Sequence, residues 1–297
     1  MKLHKIATLA LAGLMVLALA GCGAPATETK TETPSTTPAE KPAEDKGVAG
    51  GVTVEGSDTL VKMSASWAEE VTEVHPDLMV SVKGGGSGVG IAALVNGTVD
   101  FATASREIKD SEVEALKAAG KEVTEHEVAK DGIAVITNKN NAVAGLTAAQ
   151  LKDIYMGTIT NWKDVGGADK AIVVVSRDSA SGTYEFFKEH IVGKDNEMAP
   201  STILLASNQA ILDEVGKNDA AIGFCGVGYA NDTVKIIELD GVAASVASVM
   251  DGSYELSRGL YMYSAGDLTP AMQAFLDFVM SPAGQKIVED EGFVPVN

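Results

Sequence analysis

From Val52 to the C-terminus, short apolar runs alternate with segments of helical period, and this alternation restricts the chain to a layered α/β fold. Residues 52–55 read as a strand. Leu60, Met63, Trp67, Val71 and Val74 then recur at helical spacing until Pro76. Residues 78–82 and 100–104 are further strands, with a helix over 91–95 between them. Ser111 with Glu114 has capping-box spacing for a helix stopping at Gly120, and Thr147 with Gln150 has it for one reaching Tyr155. Strands are predicted at 133–137, 171–175, 220–225, 234–239 and 260–263, and helices at 184–191 and 208–215, with 157–167 as loop. Thr269-Pro270 opens a final helix pair that ends at Gly292.

Three of the strand-to-helix loops share one design. Gly56-Ser57-Asp58-Thr59, Gly86-Ser87-Gly88 and Ser181-Gly182-Thr183 each follow a strand, carry a serine among small residues and open a helix. Ser105-Arg106 ends a fourth strand. Small residues let a backbone approach a ligand closely, hydroxyls donate to oxyanions, and helix N-termini add free N–H groups and partial positive charge. Arg106 and Arg177 could each fork onto oxygens. Taken alone, the stretch from Arg177 to Thr183 reads as a capped helix with a surface arginine. Beside the other three loops it reads as one wall of a composite site for a small tetrahedral oxyanion.

Composition narrows the alternatives. Beyond the first 21 residues, which carry Lys2 and Lys5 and no acid, the chain holds 21 basic and 41 acidic groups, a net −20. Such a surface repels nucleic acid and anionic headgroups, so an anion site must work through close, oriented dipoles. Aromatics are 5%, too few for a carbohydrate cleft lined with rings. His4, His75, His126 and His190 are scattered singly, and no Cys/His metal spacing occurs, so neither a metal nor a cofactor is expected. The glycine run at 84–90 lacks the Gly-Lys-Ser/Thr of a P-loop. The match of Gly88-Val89-Gly90-Ile91-Ala92-Ala93 to a dinucleotide fingerprint is of the loosest kind. No Gly-x-Ser-x-Gly elbow is present, which argues against a serine hydrolase. Cys225, in an apolar run, reads as a buried free thiol.

The N-terminus has a separate logic. Lys2 and Lys5 precede an apolar core at 6–20 that is too short for a membrane span, and Leu19-Ala20-Gly21-Cys22 follows. This resembles a bacterial lipoprotein signal, so residues 1–21 are expected to be removed and Cys22 lipidated. That lipid would anchor the protein to the outer face of the cell membrane. Residues 22–50 are rich in Thr, Pro, Ala, Glu and Lys, and read as a flexible tether.

The chain resembles the substrate-binding lipoproteins of bacterial ABC phosphate importers over about 52–296. The matching blocks are Gly56-Ser57-Asp58-Thr59, Gly86-Ser87-Gly88, Val99-Asp100-Phe101 with Ser105-Arg106, and Arg177 with Ser181-Gly182-Thr183. Residues 220–228, Leu256-Ser257-Arg258, Ser281-Pro282 and Gly284-Gln285 also resemble the family, and the Arg-x-x-x-Ser-Gly-Thr spacing is the most specific feature. The resemblance implies a two-lobed periplasmic-binding-protein-like fold (type II) with a hinge and an interlobe ligand cleft. Lobe one would be 51–136 plus 259–297, and lobe two 137–258. It implies capture of inorganic phosphate for an ABC permease, with no catalysis, and membrane contact through the lipid only. The implied ligand set is Ser57, Asp58, Thr59, Ser87, Ser105, Arg106, Arg177, Ser181, Gly182 and Thr183. Some members carry aspartate where this chain has Arg106, and that aspartate accepts the proton by which phosphate is told from sulfate. Here Asp58 is the nearest candidate, either as that acceptor or as a cap on the helix at Leu60. Another oxyanion (sulfate, molybdate or phosphonate) and an exported phosphoester hydrolase are the alternative functions.

Overall fold

The computed structural model describes residues 47–297, so the signal segment, Cys22 and most of the tether lie outside the described residues. The first half runs β1 (Gly50–Gly56), α1 (Asp58–Val74), β2 (Leu78–Lys83), α2 (Ser87–Asn96), β3 (Phe101–Ala104), α3 (Asp110–Ala118) and β4 (Val123–Asn138). Next come β5 (Gly145–Leu146), α4 (Ala148–Met156), β6 (Val173–Arg177), α5 (Gly182–Phe187), β7 (Ile203–Leu205), α6 (Asn208–Lys217) and β8 (Ala221–Gly226). The chain ends with β9 (Val234–Ile236), β10 (Glu238–Leu239), α7 (Val246–Met250), β11 (Ser257–Ala265), α8 (Pro270–Met280) and α9 (Pro282–Asp290).

The main sheet has the order β2-β1-β3-β11-β4-β8-β6-β7, with β9 also paired to β4, and β10 pairs β5 separately. β1 is parallel to both β2 and β3, and β6 is parallel to both β7 and β8. β11 and β4 join these two sets and run antiparallel to each other. β4 changes partner along its length: up to Gly132 it pairs with β11, and from Ile133 to Thr137 with β8.

Two large apolar cores flank that change, and a smaller cluster gathers Ile91, Leu94, Ala102, Leu116 and Tyr263. One large core gathers Val52, Leu60, Trp67, Phe101, Leu260 and Phe275. The other gathers Ile133–Ile136, Tyr155, Trp162, Phe187, Ile222 and Phe224. Each holds a tryptophan whose ring nitrogen finds a buried carbonyl, as an apolar interior requires. Trp67 donates to the Gly284 carbonyl and Trp162 to that of Ala220, both at 2.8 Å. Phe187 stacks on Phe224 at 4.0 Å. Cys225 is a buried free thiol, and burial pushes its ionisation well up. Among the described residues, no helix is long and apolar enough to cross a membrane, and no cluster of His, Cys, Asp or Glu is arranged to hold a metal.

Several local expectations change. The box on α4 forms as predicted: Thr147 Oγ1 accepts from Gln150 N, and Gln150 Oε1 accepts from Thr147 N. On α3 the N-cap is instead Lys109, whose N–H donates to Glu112 Oε2 at 2.9 Å, because Glu112 is already held in place by Arg106. The predicted strand at 133–137 is the last third of the sixteen-residue β4. Val48, assigned to the tether, already packs on the first core and donates its N–H to His75 Nδ1. The predicted helix at 184–191 begins at Gly182 and finishes as a π-turn over Lys188–Val192.

Candidate functional site

The carboxyl ends of β1, β2, β3 and β6 carry the serine-bearing loops to one place, as open parallel sheets do with their ligand-contacting segments. Four hydroxyls form a buried row there. Thr59 Oγ1 lies 3.0 Å from Thr183 Oγ1, which lies 3.4 Å from Ser105 Oγ, which lies 3.4 Å from Ser87 Oγ. Thr59 and Thr183 occupy the first turns of α1 and α5, and Ser87 is the first residue of α2. Gly182 permits the approach: a Cβ on it would fall 2.3 Å from Ser87 Oγ and 2.9 Å from Ser105 Oγ. The adjoining turn is equally tight. Gly86, at φ +106°, leaves room for the Ala180 carbonyl, which accepts from Gly88 N at 3.2 Å.

Ser57 and Ser181 also cap the helices beside this row. Ser57 Oγ accepts from Thr59 N and caps α1, and Ser181 Oγ accepts from Tyr184 N and caps α5. Asp58 is therefore not the cap of α1. Its Oδ2 accepts from both Asn208 N (2.8 Å) and Asn208 Nδ2 (3.0 Å), and lies 3.4 Å from Arg177 Nη1. Arg177 is 1% exposed, and its Nη2 donates to the Ala206 carbonyl at 2.7 Å. Its Nε and Nη1 have no hydrogen-bond partner among the described residues. Burial lowers the ionisation of this guanidinium against the pull of Asp58 and Asp178.

Arg106 is not brought to the hydroxyl row. Its Nη1 and Nη2 hold Glu112 as a fork at 2.9 and 2.8 Å, its Nη1 also donates to the Glu107 carbonyl, and its Nε pairs with Glu185. Glu185 also pairs with Lys109 at 2.7 Å. With two carboxylates in reach, the guanidinium is already neutralised. A cavity of about 1010 Å³ beside this network is lined by Arg106, Lys109, Glu185 and Arg258, among others.

Three residues outside the expected set complete the site. Asn208 Nδ2 reaches Thr59 Oγ1 at 3.4 Å as well as Asp58. Arg258 Nη2 donates to Thr183 Oγ1 at 2.9 Å, and Nη1 to the Ser105 carbonyl at 2.8 Å. Asp131, fully buried, accepts from Arg258 Nη2 at 2.7 Å and Nε at 3.2 Å. Burial pushes the Asp131 carboxyl up, opposed by the attraction of Arg258. A signal for Asn208 existed: Ala206-Ser207-Asn208 repeats the strand, serine, helix design after the three-residue β7.

The comparisons with known proteins agree with one another. Residues 28–283 match the model of the PBP superfamily domain. The phosphate-binding protein PstS of Pseudomonas aeruginosa is 31% identical over 84% of this chain and 84% of its own. That of Staphylococcus epidermidis is 35% identical over 84% and 80%. A Clostridium perfringens crystal structure with bound phosphate, of a protein assigned as a phosphate ABC transporter substrate-binding protein, superposes with a TM-score of 0.79 at 37% identity. It covers 84% of this chain and 100% of that one. With a family model matched over residues 28–283 and relatives above 30% identity over 84% of its length, the chain belongs to the PBP superfamily and, within it, to the phosphate-binding protein PstS family.

Proposed function

We propose that the protein captures inorganic phosphate outside the cytoplasm and delivers it to an ABC permease, without catalysing a reaction. The observation that carries this reading is Arg177: a guanidinium 1% exposed, with Nε lacking a hydrogen-bond partner among the described residues and Nη1 held only by the 3.4 Å approach of Asp58, whose neighbour Thr59 begins a row of four buried hydroxyls. Unsatisfied buried donors are costly, and a tetrahedral oxyanion answers several at once. The phosphate ligands in this reading are Thr59, Ser87, Ser105, Arg177, Gly182 and Thr183, with Ser57 and Ser181 orienting their helix N-termini. Cys22, by its sequence context, would carry the lipid.

The lobes in this reading are 51–136 plus 259–297 and 137–258, which the separation of the larger cores supports; Ile133–Ile136, at the crossing, and Val294 pack with the second. Closure of the two lobes would assemble the site. Arg106 and Lys109 then stand on one lobe and Glu185 on the other, so these two ion pairs would latch the closed form. Glu185→Gln is expected to weaken phosphate binding about three- to tenfold, mainly through faster release, as loss of roughly 1 kcal/mol would do. Stopped-flow dissociation checks this, and an unchanged release rate would remove the latch.

Asp58 fits the proton acceptor. Asn208 occupies Oδ2 twice, and Oδ1 has no hydrogen-bond partner among the described residues, leaving it for a protonated phosphate oxygen. Fully ionised sulfate offers no proton and would meet a repelled carboxylate. Calorimetric titration of wild type and Asp58→Asn with both anions tests function and selectivity together. Wild type is expected to prefer phosphate, and the variant to lose about tenfold or more of that preference. Equal binding of the two anions by wild type would overturn the selectivity, and turnover of a generic phosphoester would overturn the binding-protein reading.

A further inference from the structure

The hydroxyl row has a direction, and the direction is set from behind it. Each hydroxyl owns a single proton and can give it to only one neighbour. Arg258 Nη2 donates to Thr183 Oγ1 at 2.9 Å, and a guanidinium has no acceptor. The Thr183 proton therefore cannot turn back toward Arg258; it must point to Thr59, to Ser105 or to a ligand. The same logic holds along the row. Asn208 Nδ2 donates to Thr59 Oγ1, and its amide is oriented because Oδ1 accepts from Gly226 N at 3.4 Å. Ser105 N donates to Ser87 Oγ at 3.1 Å. Three of the four oxygens are thus fed by a donor that cannot reverse.

Arg258 is itself immobilised. Asp131 takes its Nε and Nη2, the Ser105 carbonyl takes its Nη1, and Asp131 Oδ1 is held by Val227 N at 3.0 Å. Asp131 lies on β4 and Arg258 on β11, the strands that join the two halves of the main sheet. A fully buried ion pair is a poor source of net stability. Its position here gives it another use.

We propose that Arg258, held by Asp131, is a positioning residue that fixes the proton of Thr183 toward the bound anion, so that the site presents donors before the ligand arrives. Arg258 touches no ligand in this scheme; it acts through Thr183. The inference rests on the phosphate-binding reading above and adds a determinant that lies outside the loops. It also explains why a site on a chain of net −18 would take an anion: the local polarity is built in by hydrogen-bond direction rather than by surface charge.

A double-mutant cycle tests it. Removing Arg258 alone would strand the Asp131 carboxylate, so the pair is neutralised as Asp131→Asn/Arg258→Gln, and in parallel as the apolar Asp131→Leu/Arg258→Met in case the first fails to fold. Each pair is combined with Thr183→Val, and phosphate affinity is measured by calorimetry after folding is verified by thermal melting. With Thr183 present, either pair is expected to weaken phosphate binding about ten- to a hundredfold, the loss of a well-directed hydrogen bond to a charged group. In the Thr183→Val background the same pair is expected to cost less than about threefold, because the hydroxyl it orients is gone. Equal losses in both backgrounds, or no loss in the first, would overturn the role of Arg258 while leaving the phosphate reading intact. Wild-type protein that takes up no phosphate would overturn both.

Discussion

Arg177→Met is expected to remove phosphate binding by about two to four orders of magnitude while leaving the protein folded. Two donors of the guanidinium, Nε and Nη1, have no hydrogen-bond partner among the described residues, and both are buried. Hydrogen bonds to a charged group contribute roughly 1.5–3 kcal/mol each, so losing two costs about 3–6 kcal/mol of binding. The effect on stability runs the other way. A guanidinium 1% exposed has lost its hydration and recovers only part of it through the Ala206 carbonyl and the 3.4 Å approach of Asp58. Methionine fills similar space without that penalty, and Asp58 keeps both N–H donors of Asn208. The ligand-free melting temperature should therefore hold or rise, while the upward shift that saturating phosphate gives wild type should vanish. Calorimetry and paired melts report the two quantities separately. A Kd within tenfold of wild type would mean that Arg177 is a structural arginine and that the anion binds elsewhere.

The sequence made the outer plan of this molecule legible, because period and capping are local properties. The alternation of strands and helices, the caps at Thr147 and Thr269, and the serine that the site loops set at helix starts all follow from neighbours within a few residues. What it concealed was long-range. The first two-thirds of β4 read as polar chain, since Glu125, His126, Glu127 and Lys130 interrupt its pattern; pairing with β11 makes it a strand. Arg106 follows a serine at a strand end, like a ligand, yet its partner Glu185 lies far along the chain on α5. Asp58 stands where a cap could stand, and only the geometry gives that task to Ser57. Arg258 and Asp131 sit 127 residues apart with no local motif to tie them. Residue type and spacing found the hydroxyls. They could not find the groups that orient those hydroxyls, because such groups are chosen by position in three dimensions.

Gly182→Ala should separate folding from closure. In the assembled site the added methyl would fall 2.3 Å from Ser87 Oγ, 2.9 Å from Ser105 Oγ and 3.0 Å from Ser87 Cβ. Neither serine can retreat freely. Ser87 Oγ holds Ser105 N, and the Ser105 carbonyl holds Arg258. Overpacking of this kind costs roughly 1–3 kcal/mol, which corresponds to about five- to 150-fold weaker phosphate binding. Within its own lobe, however, position 182 opens α5 with no positive φ to forbid a side chain, and alanine is the better helix former by up to about 1 kcal/mol. If the two proposed lobes separate without ligand, the methyl has room in the open form and helps the helix there. The variant should then show an unchanged or higher ligand-free melting temperature, weaker phosphate binding, and a larger radius of gyration by small-angle X-ray scattering when phosphate is present. Gly86→Ala is the useful contrast. Its φ of +106° strains any side chain whether the lobes are open or closed, and its methyl would strike the Ala180 carbonyl at 2.4 Å, so stability and affinity should fall together. If Gly182→Ala instead lost stability in parallel with affinity, the contact between Gly182 and the serines would belong to the folded core rather than to a closing cleft.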